Sequence, residues 1–423
     1  MNNRLFTTLV ILCCSSLFAE DSSPENTASW TGWRGNDRDA KVSHYKAPEV
    51  WPDKLAALWT AKIGDGYATP LVVGDRIFQH TRQNGNELLL CLDFKNGKEF
   101  WRTQTEIDFT AGRGGEKHGL GPKSTPTYAD GRIFTLSITG LLSAWSAENG
   151  KRLWTRNFSE KLNAAHPYWG SATSPIVDGE RVIVHTGSCE DGALFCIDAK
   201  SGKDLWVNDQ YANCYSSPLI ETLAGVRQLV ELNHSGICGI DLKSGKILWR
   251  HPFTHHGNNQ NTPTPVRCGD LIVLGGENRG MFAVKPTVSE GNWSVEQIWR
   301  HRKVSLDMSS PIAHGDLVFA FSEFKQGKIS CLDGKSGAVL WESDARMGKN
   351  AQFLSLPEHV LCLTDRGILY VVKPNREKLK IIKEYRVARE DTWTAPALVG
   401  DILFTKAHET LVAWKFPSAA GAE

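Results

Sequence analysis

The chain has 423 residues, 48 Lys and Arg against 47 Asp and Glu, and a formal net charge of +1. That balance, with no basic stripe along the chain, excludes the electrostatic footprint of a nucleic-acid binder. Fifteen Trp, 38 Gly and 18 Pro suit many short strands joined by tight turns, and no stretch beyond the N-terminus is long and apolar enough to span a membrane.

Residues 1–19 have the form of a secretory signal: Arg4, an apolar run over 5–12, and a cleavage motif ending at Ala19. Export to the periplasm or cell envelope is expected, with peripheral membrane attachment left open. Leu17 stands where a smaller residue is preferred, and Cys13 follows the bulky Leu12, so lipidation at Cys13 or Cys14 stays open. Residues 20–50 read as a polar spacer followed by a strap, Trp30-Thr31-Gly32-Trp33-Arg34-Gly35. Two Trp are costly to leave in water, so the strap is expected to lie against the body.

From there to residue 417 the chain repeats. The segment GALFCIDAKSGKDLW (192–206) is a short apolar run, an Asp, a Ser-Gly-Lys turn and a second run closing on Trp. Asp accepts turn amides and Gly tolerates positive φ, so the segment reads as a hairpin. It recurs over 88–101, 141–154, 236–249 and 328–341. Each hairpin is preceded by a strand that opens at a Pro (Pro70, Pro126, Pro175, Pro218, Pro265, Pro311, Pro396), then a Gly/Asp turn and a second strand. Fourth-strand aromatics fall at Trp59, Trp101, Trp154, Trp206, Trp249, Trp299, Trp341 and Tyr385, about 42 to 53 residues apart, the period of a propeller blade. The unit near 351–387 lacks the opening Pro. The last unit stops after its third strand at 410–416, while Trp59 sits on a strand that lacks the preceding three. The expectation is an all-β, eight-bladed propeller of four-stranded antiparallel blades over 51–417, closed by the strand around Trp59 joining the last blade, with 418–423 as a tail. Such closure removes open sheet edges.

Cys91, Cys196, Cys238 and Cys331 are read as one repeat position, held elsewhere by Ala144, Ala283 and Ala413. A position that takes Cys or Ala is a small buried slot, so these are expected to be free core thiols. Cys189, Cys214, Cys268 and Cys362 lie off that register, and their pairing stays open.

The unit P-x-V-x-D-G-x-V…L-x-A-x-D-x-x-x-G-K-x-L-W resembles the repeat of the pyrroloquinoline-quinone (PQQ)-like β-propeller superfamily over nearly all of 59–416. That superfamily includes quinoprotein alcohol dehydrogenases and the non-enzymatic exported BamB-like propellers, and fold alone does not choose between them. The dehydrogenases imply a planar cofactor stacked on Trp, a Ca²⁺ held by oxygens, an Asp base and an adjacent-cysteine disulfide. The chain beyond its signal segment has no Cys-Cys pair. Trp169 or Trp393 could floor such a ring, and Asp307 or Glu231 with Asn233 could supply oxygens, but none lies in a matching motif. No catalytic or metal-ligating residue is assigned, and PQQ with Ca²⁺ stays an alternative without a matched site.

Function on a rigid scaffold sits on loops. The connections from a fourth strand to the next first strand share one face of a propeller. They carry Arg113, His118, His166, Trp169, Tyr215, His255, His256, Asn258, Asp307 and Trp393, which form the candidate ligand-binding set. Adjacent His255 and His256 make a poor zinc pair, since zinc wants three or four convergent ligands. The Gly112–Gly115 run lacks the strand–helix setting of a phosphate loop. The functional expectation is a binding or scaffold protein of the cell envelope, its partner an envelope protein or a small molecule. The alternative is a PQQ- or metal-dependent dehydrogenase acting on alcohols or sugars.

Overall fold

A computed structural model describes residues 29–419 apart from 113, 160, 165, 256–259 and 323. The proposed signal segment therefore lies outside the described residues. Among the described residues, thirty-two strands form eight four-stranded antiparallel sheets, the propeller expected from the repeat. Blade 1 spans 71–106, blade 2 127–156, blade 3 176–208, blade 4 219–252, blade 5 266–301, blade 6 312–342 and blade 7 351–386. Blade 8 takes three strands from 397–415 and its outermost from Ala56–Lys62, which pairs with Thr410–Lys415. Both ends of the chain thus share one sheet, and opening the ring would cost that whole strand pairing.

The periodic residues explain why blades stack. In the hairpins, the Asp carboxylate accepts turn amides: Asp93 from Lys95 at 2.7 Å, Asp198 from Ser201 at 2.7 Å, and Asp333 from Ser336 at 2.7 Å. The turn Gly has left-handed φ, +71° at Gly245. The absence of a side chain there serves a second purpose. The Trp of the preceding blade lies flat on this Gly, and a Cβ at Gly245 would come within 2.4 Å of Trp206. The indole N–H then donates to a carbonyl of the same turn: Trp101 to Glu148 at 3.1 Å, Trp154 to Ala199 at 3.0 Å, Trp206 to Leu242 at 3.1 Å, Trp299 to Gly334 at 2.9 Å and Trp341 to Asn375 at 3.0 Å. Trp59 closes the ring the same way on Phe94, at 3.0 Å. Each latch buries apolar ring surface and satisfies its one polar atom. Blade 7 uses Tyr385, whose hydroxyl donates to Pro52 at 3.0 Å.

Trp249 departs from the rule. Blade 5 replaces the tight turn with a long outer hairpin of Gly280–Ser289 and Asn292–His301. Trp249 instead donates to Gln228 of its own blade at 2.6 Å.

The small slot opposite each Trp holds Cys91, Ala144, Cys196, Ala283, Cys331 and Ala413. Cys238 is a correction: Gly239, not Cys238, faces Trp249. A Cβ at Gly239 would approach the Trp249 nitrogen to 2.1 Å, so this blade shifts its Cys by one residue. All eight described cysteines are buried, and none forms a disulfide with another described cysteine.

The strap runs across the axis. Trp30 pairs with Val72 of blade 1 at 2.8 and 2.9 Å, Thr31 accepts from Tyr128 of blade 2 at 2.8 Å, and Val42 donates to Ser355 of blade 7 at 2.9 Å. Arg34 donates to Pro311 at 2.6 Å, and Arg38 donates to Ser174, Pro175 and Pro218, reaching Pro218 at 2.8 Å. Both guanidinium side chains are inserted among the innermost strands, each residue 4% exposed. Burial lowers Arg34 to about 10 and Arg38 to about 9.

Candidate functional site

A ring of hydroxyls surrounds the axis where the first strands begin. The residue before most opening prolines is Ser or Thr, and it bridges blades. The Thr69 amide donates to Thr125 Oγ1 at 3.0 Å, Thr125 to Ser174 Oγ at 3.0 Å, Ser174 to Ser217 Oγ at 2.9 Å, and Thr264 to Ser310 Oγ at 2.9 Å. This satisfies amides that no sheet partner reaches and ties the inner strands into a rigid floor.

Above that floor is a cup of about 140 Å³, close to the roughly 150 Å³ that holds benzene in an engineered cavity. Every inter-blade connection contributes to it. One side is aromatic, with Trp393, Tyr67, His118, Trp169 and Tyr215; the other carries Thr262, Met308, Asn350 and Gln352. Trp33 of the strap closes the bottom, its indole donating to Thr264 Oγ1 at 3.0 Å. The aromatic side is braced ring against ring: His118 stands edge-on to Trp393 with centroids 5.5 Å apart, and Trp169 lies 5.4 Å from Tyr215. The Tyr215 hydroxyl also accepts the Trp169 amide at 3.3 Å.

Lys123 supplies the charge. Its ammonium donates to the Trp169 carbonyl at 2.6 Å, and burial pulls it down to about 8, opposed by Asp65. His118 is also held below its ordinary value, first by burial and then by Lys123, Lys117 and Lys349. Burial raises Tyr215, and raises Tyr67 to about 12 with help from Asp65 and Asp391. No Asp or Glu lines the cup among the described residues.

Four of the sequence candidates, His118, Trp169, Tyr215 and Trp393, meet in this cup. His166 does not line it; its ring stands on Phe109 at 5.3 Å. His255 faces His234, Nε2 to Nε2 at 2.9 Å, and Asp307 is replaced in the lining by its neighbour Met308. Arg113, His256 and Asn258 lie outside the described residues. The sequence reading missed Trp33, Tyr67, Asn350, Gln352 and the hydroxyl ring. The recurring Ser/Thr before an opening Pro was a visible signal for the ring.

A family model described as "Outer membrane protein assembly factor BamB" matches residues 85–343. The chain belongs to this family. Among curated relatives, BamB of Burkholderia pseudomallei is 23% identical over 303 residues, covering 62% of this chain and 73% of that protein. A polyvinylalcohol dehydrogenase of Sphingopyxis sp. is 27% identical over 358 residues, covering 75% of this chain and 51% of that protein. Two further BamB relatives, of Yersinia pestis and Moranella endobia, are matched over 61% and 51% of their own length. Among solved structures, BamB of Moraxella catarrhalis aligns with a TM-score of 0.61 at 15% identity, covering 86% of this chain and 98% of that one. The quinohemoprotein alcohol dehydrogenase of Comamonas testosteroni aligns with 0.68 at 14%, covering 92% and 80%. At such identities the structures speak to the fold alone.

The enzymes among these similar proteins make PQQ with Ca²⁺ worth testing against the residues present. They do not fit it. Among the described residues no three His, Cys, Asp or Glu converge as metal ligands. Glu231 is bonded to His185 at 2.5 Å, and Asn233 Oδ1 accepts the amides of Ser235 and Gly236 at 2.9 and 3.1 Å, so these two are engaged away from the cup, and Asp307 does not line it. The cup volume suits one ring rather than a fused tricycle.

Proposed function

We propose that this BamB-family chain is an exported binding or scaffold protein of the cell envelope, which engages an envelope protein or a small molecule through the cup and the loops around it. The observation that carries this reading is the aromatic half-circle of Trp393, Tyr67, His118, Trp169 and Tyr215, a half-exposed apolar surface on the loop face of a rigid scaffold, where recognition sites concentrate. The family match, whose description names outer-membrane protein assembly, supports the envelope setting.

The test is site-specific photo-crosslinking in cell-envelope fractions, with a photoreactive residue in place of Trp393 and a control in place of Leu153, which is exposed on the outer edge of blade 2. A discrete adduct from position 393 alone is the expected outcome. Identical patterns from both positions would remove the cup from partner binding.

The dehydrogenase reading is kept because of the polyvinylalcohol dehydrogenase relative. It is decided by titrating the mature protein with PQQ and Ca²⁺. Saturable binding at micromolar affinity or tighter would restore it and justify an alcohol and sugar screen; no binding is expected.

A further inference from the structure

Four hydroxyls at the cup floor share one bonding state. Ser174, Ser217 and Ser310 each accept a backbone amide, and Thr264 accepts the Trp33 indole. A hydroxyl carries a proton to donate besides its lone pairs. Among the described residues none of these four protons has an acceptor, and all four side chains line the cup. The floor is a ring of donors waiting for an acceptor.

The charge around it has the same sense. Arg34 and Arg38, directly below the innermost strands, donate only to carbonyls, and Arg34 Nη1 is buried with no partner at all. Asp39 is the acid that Arg34 feels, but its carboxylate pairs with Lys41 at 2.9 Å. Lys123 on the wall has three protons and gives one to Trp169. Lys123 therefore puts an ammonium on a bowl whose own lining offers no negative charge, and the two guanidinium groups lie outside that lining, against the backbone carbonyls of Ser174, Pro218 and Pro311. Uncompensated buried charge is costly, and a bound anion relieves it.

Resting on the ligand-binding reading above, we infer that the cup is a site for a ring-sized molecule bearing a carboxylate. The carboxylate accepts from the hydroxyl ring and from Lys123, and the ring lies against Trp169 and Trp393. The polar half opposite, with Asn350 and Gln352, faces the remaining edge of the ligand. An acidic monosaccharide and an aromatic acid share this chemistry, because the apolar face of a pyranose and a benzene ring both stack on indole.

The test is calorimetric titration of the mature protein, followed also by Trp fluorescence, with two matched pairs: glucuronate against glucose, and benzoate against benzyl alcohol. At least one acid is expected to bind about tenfold or more tightly than its neutral partner, the size of one charge-assisted hydrogen bond. The preferred acid identifies the source as sugar or aromatic. Lys123→Met is expected to erase most of that preference while the thermal midpoint stays near wild type. The acid–neutral comparison is made on the wild-type protein, so it stands even if that variant misfolds. Equal affinities within both pairs, or no binding of either acid at about 10 mM, where a ring-sized ligand with two or three good contacts is already saturating, would overturn the inference. Absent acid binding with an intact crosslink from position 393 would leave the partner-binding reading standing. Acid binding with no crosslink would do the reverse.

Discussion

Tryptophan is used in two ways in this protein, and the two regions that use it differ in one respect: periodicity. At the rim, Trp101, Trp154, Trp206, Trp299 and Trp341 recur once per blade and give their N–H to a carbonyl of the next blade's turn, the first four also resting on that turn's Gly. At the axis, Trp33, Trp169 and Trp393 occur once each, in the strap and in two connections of different length, and they converge only because the ring closes. Repetition marks a residue that does the same packing task in every blade. Convergence of unrepeated residues marks a site, since nothing in the repeat requires them.

If that division holds, stability and binding separate by mutation. Trp299→Ala removes an almost fully buried latch (7% exposed) and is expected to cost roughly 3–5 kcal/mol, read as a fall in the urea midpoint. Trp393→Ala, half-buried at the cup, should cost under about 1 kcal/mol and instead abolish binding of the acids proposed above. Equal losses of stability from both would erase the distinction. Arg38→Met lies between the two regions. It leaves the carbonyls of Ser174 and Pro218 without the guanidinium donor, while Pro175 keeps the Thr127 hydroxyl, at about 1–3 kcal/mol for each buried group left unsatisfied. Its stability loss should exceed that of Trp393→Ala. A neutral result would mean that water replaces the guanidinium and that the strap is not a plug. Gly245→Ala should cost about 1–3 kcal/mol by backbone strain, beyond which its Cβ would press into Trp206.

The same division explains what was legible in the sequence. Five copies of one hairpin put a turn Gly and a Trp at constant spacing, with Asp opening the turn in four of them, and eight fourth-strand aromatics recur at the blade period, so blade number, strand order and the closing role of the Trp59 strand follow from counting. The exception at Trp249 was hidden because its signal is an omission: blade 5 keeps the Trp but has no Asp-x-x-x-Gly turn at 284–290. The one-residue displacement of Cys238 was likewise invisible until the register with Trp249 was known. The cup was half legible. Loop aromatics such as Trp169 and Trp393 could be suspected from residue type. Which of them meet depends on where each connection bends, so His166, His255 and Asp307 looked equivalent to them. Trp33 could not be placed, because its position depends on Arg34 and Arg38 finding carbonyls on distant blades.

The pH dependence sharpens the comparison further. Lys123 is pulled to about 8 by burial, so the free cup loses its ammonium charge as pH rises through 8. A bound carboxylate favours the charged amine, which moves that titration upward in the complex. Affinity for the preferred acid should therefore be steady below about pH 8 and fall above it, with a proton taken up on binding near pH 8. His118, held below its ordinary value by burial and the surrounding lysines, adds no competing protonation over that range. Calorimetry in buffers of different ionisation enthalpy reads the uptake directly, and pH-independent affinity from 7 to 9 would take Lys123 out of the site.

The smallest effect belongs to the rim. Asp333 is held down to about 2, first by its hydrogen bond to Arg376 and then by Ser336. A depressed carboxylate contributes stability that is complete above the unfolded value near 4 and is lost as pH falls toward 2. Asp333→Asn keeps most of the turn hydrogen bonds but removes that charge, so its stability should differ from wild type by a small, salt-sensitive amount at pH 7 and converge with it near pH 2. The turn docks Trp299 through Gly334 and Gly337, so a loss that persisted in full at pH 2 would show that the carboxylate shapes the latch geometrically rather than through its charge.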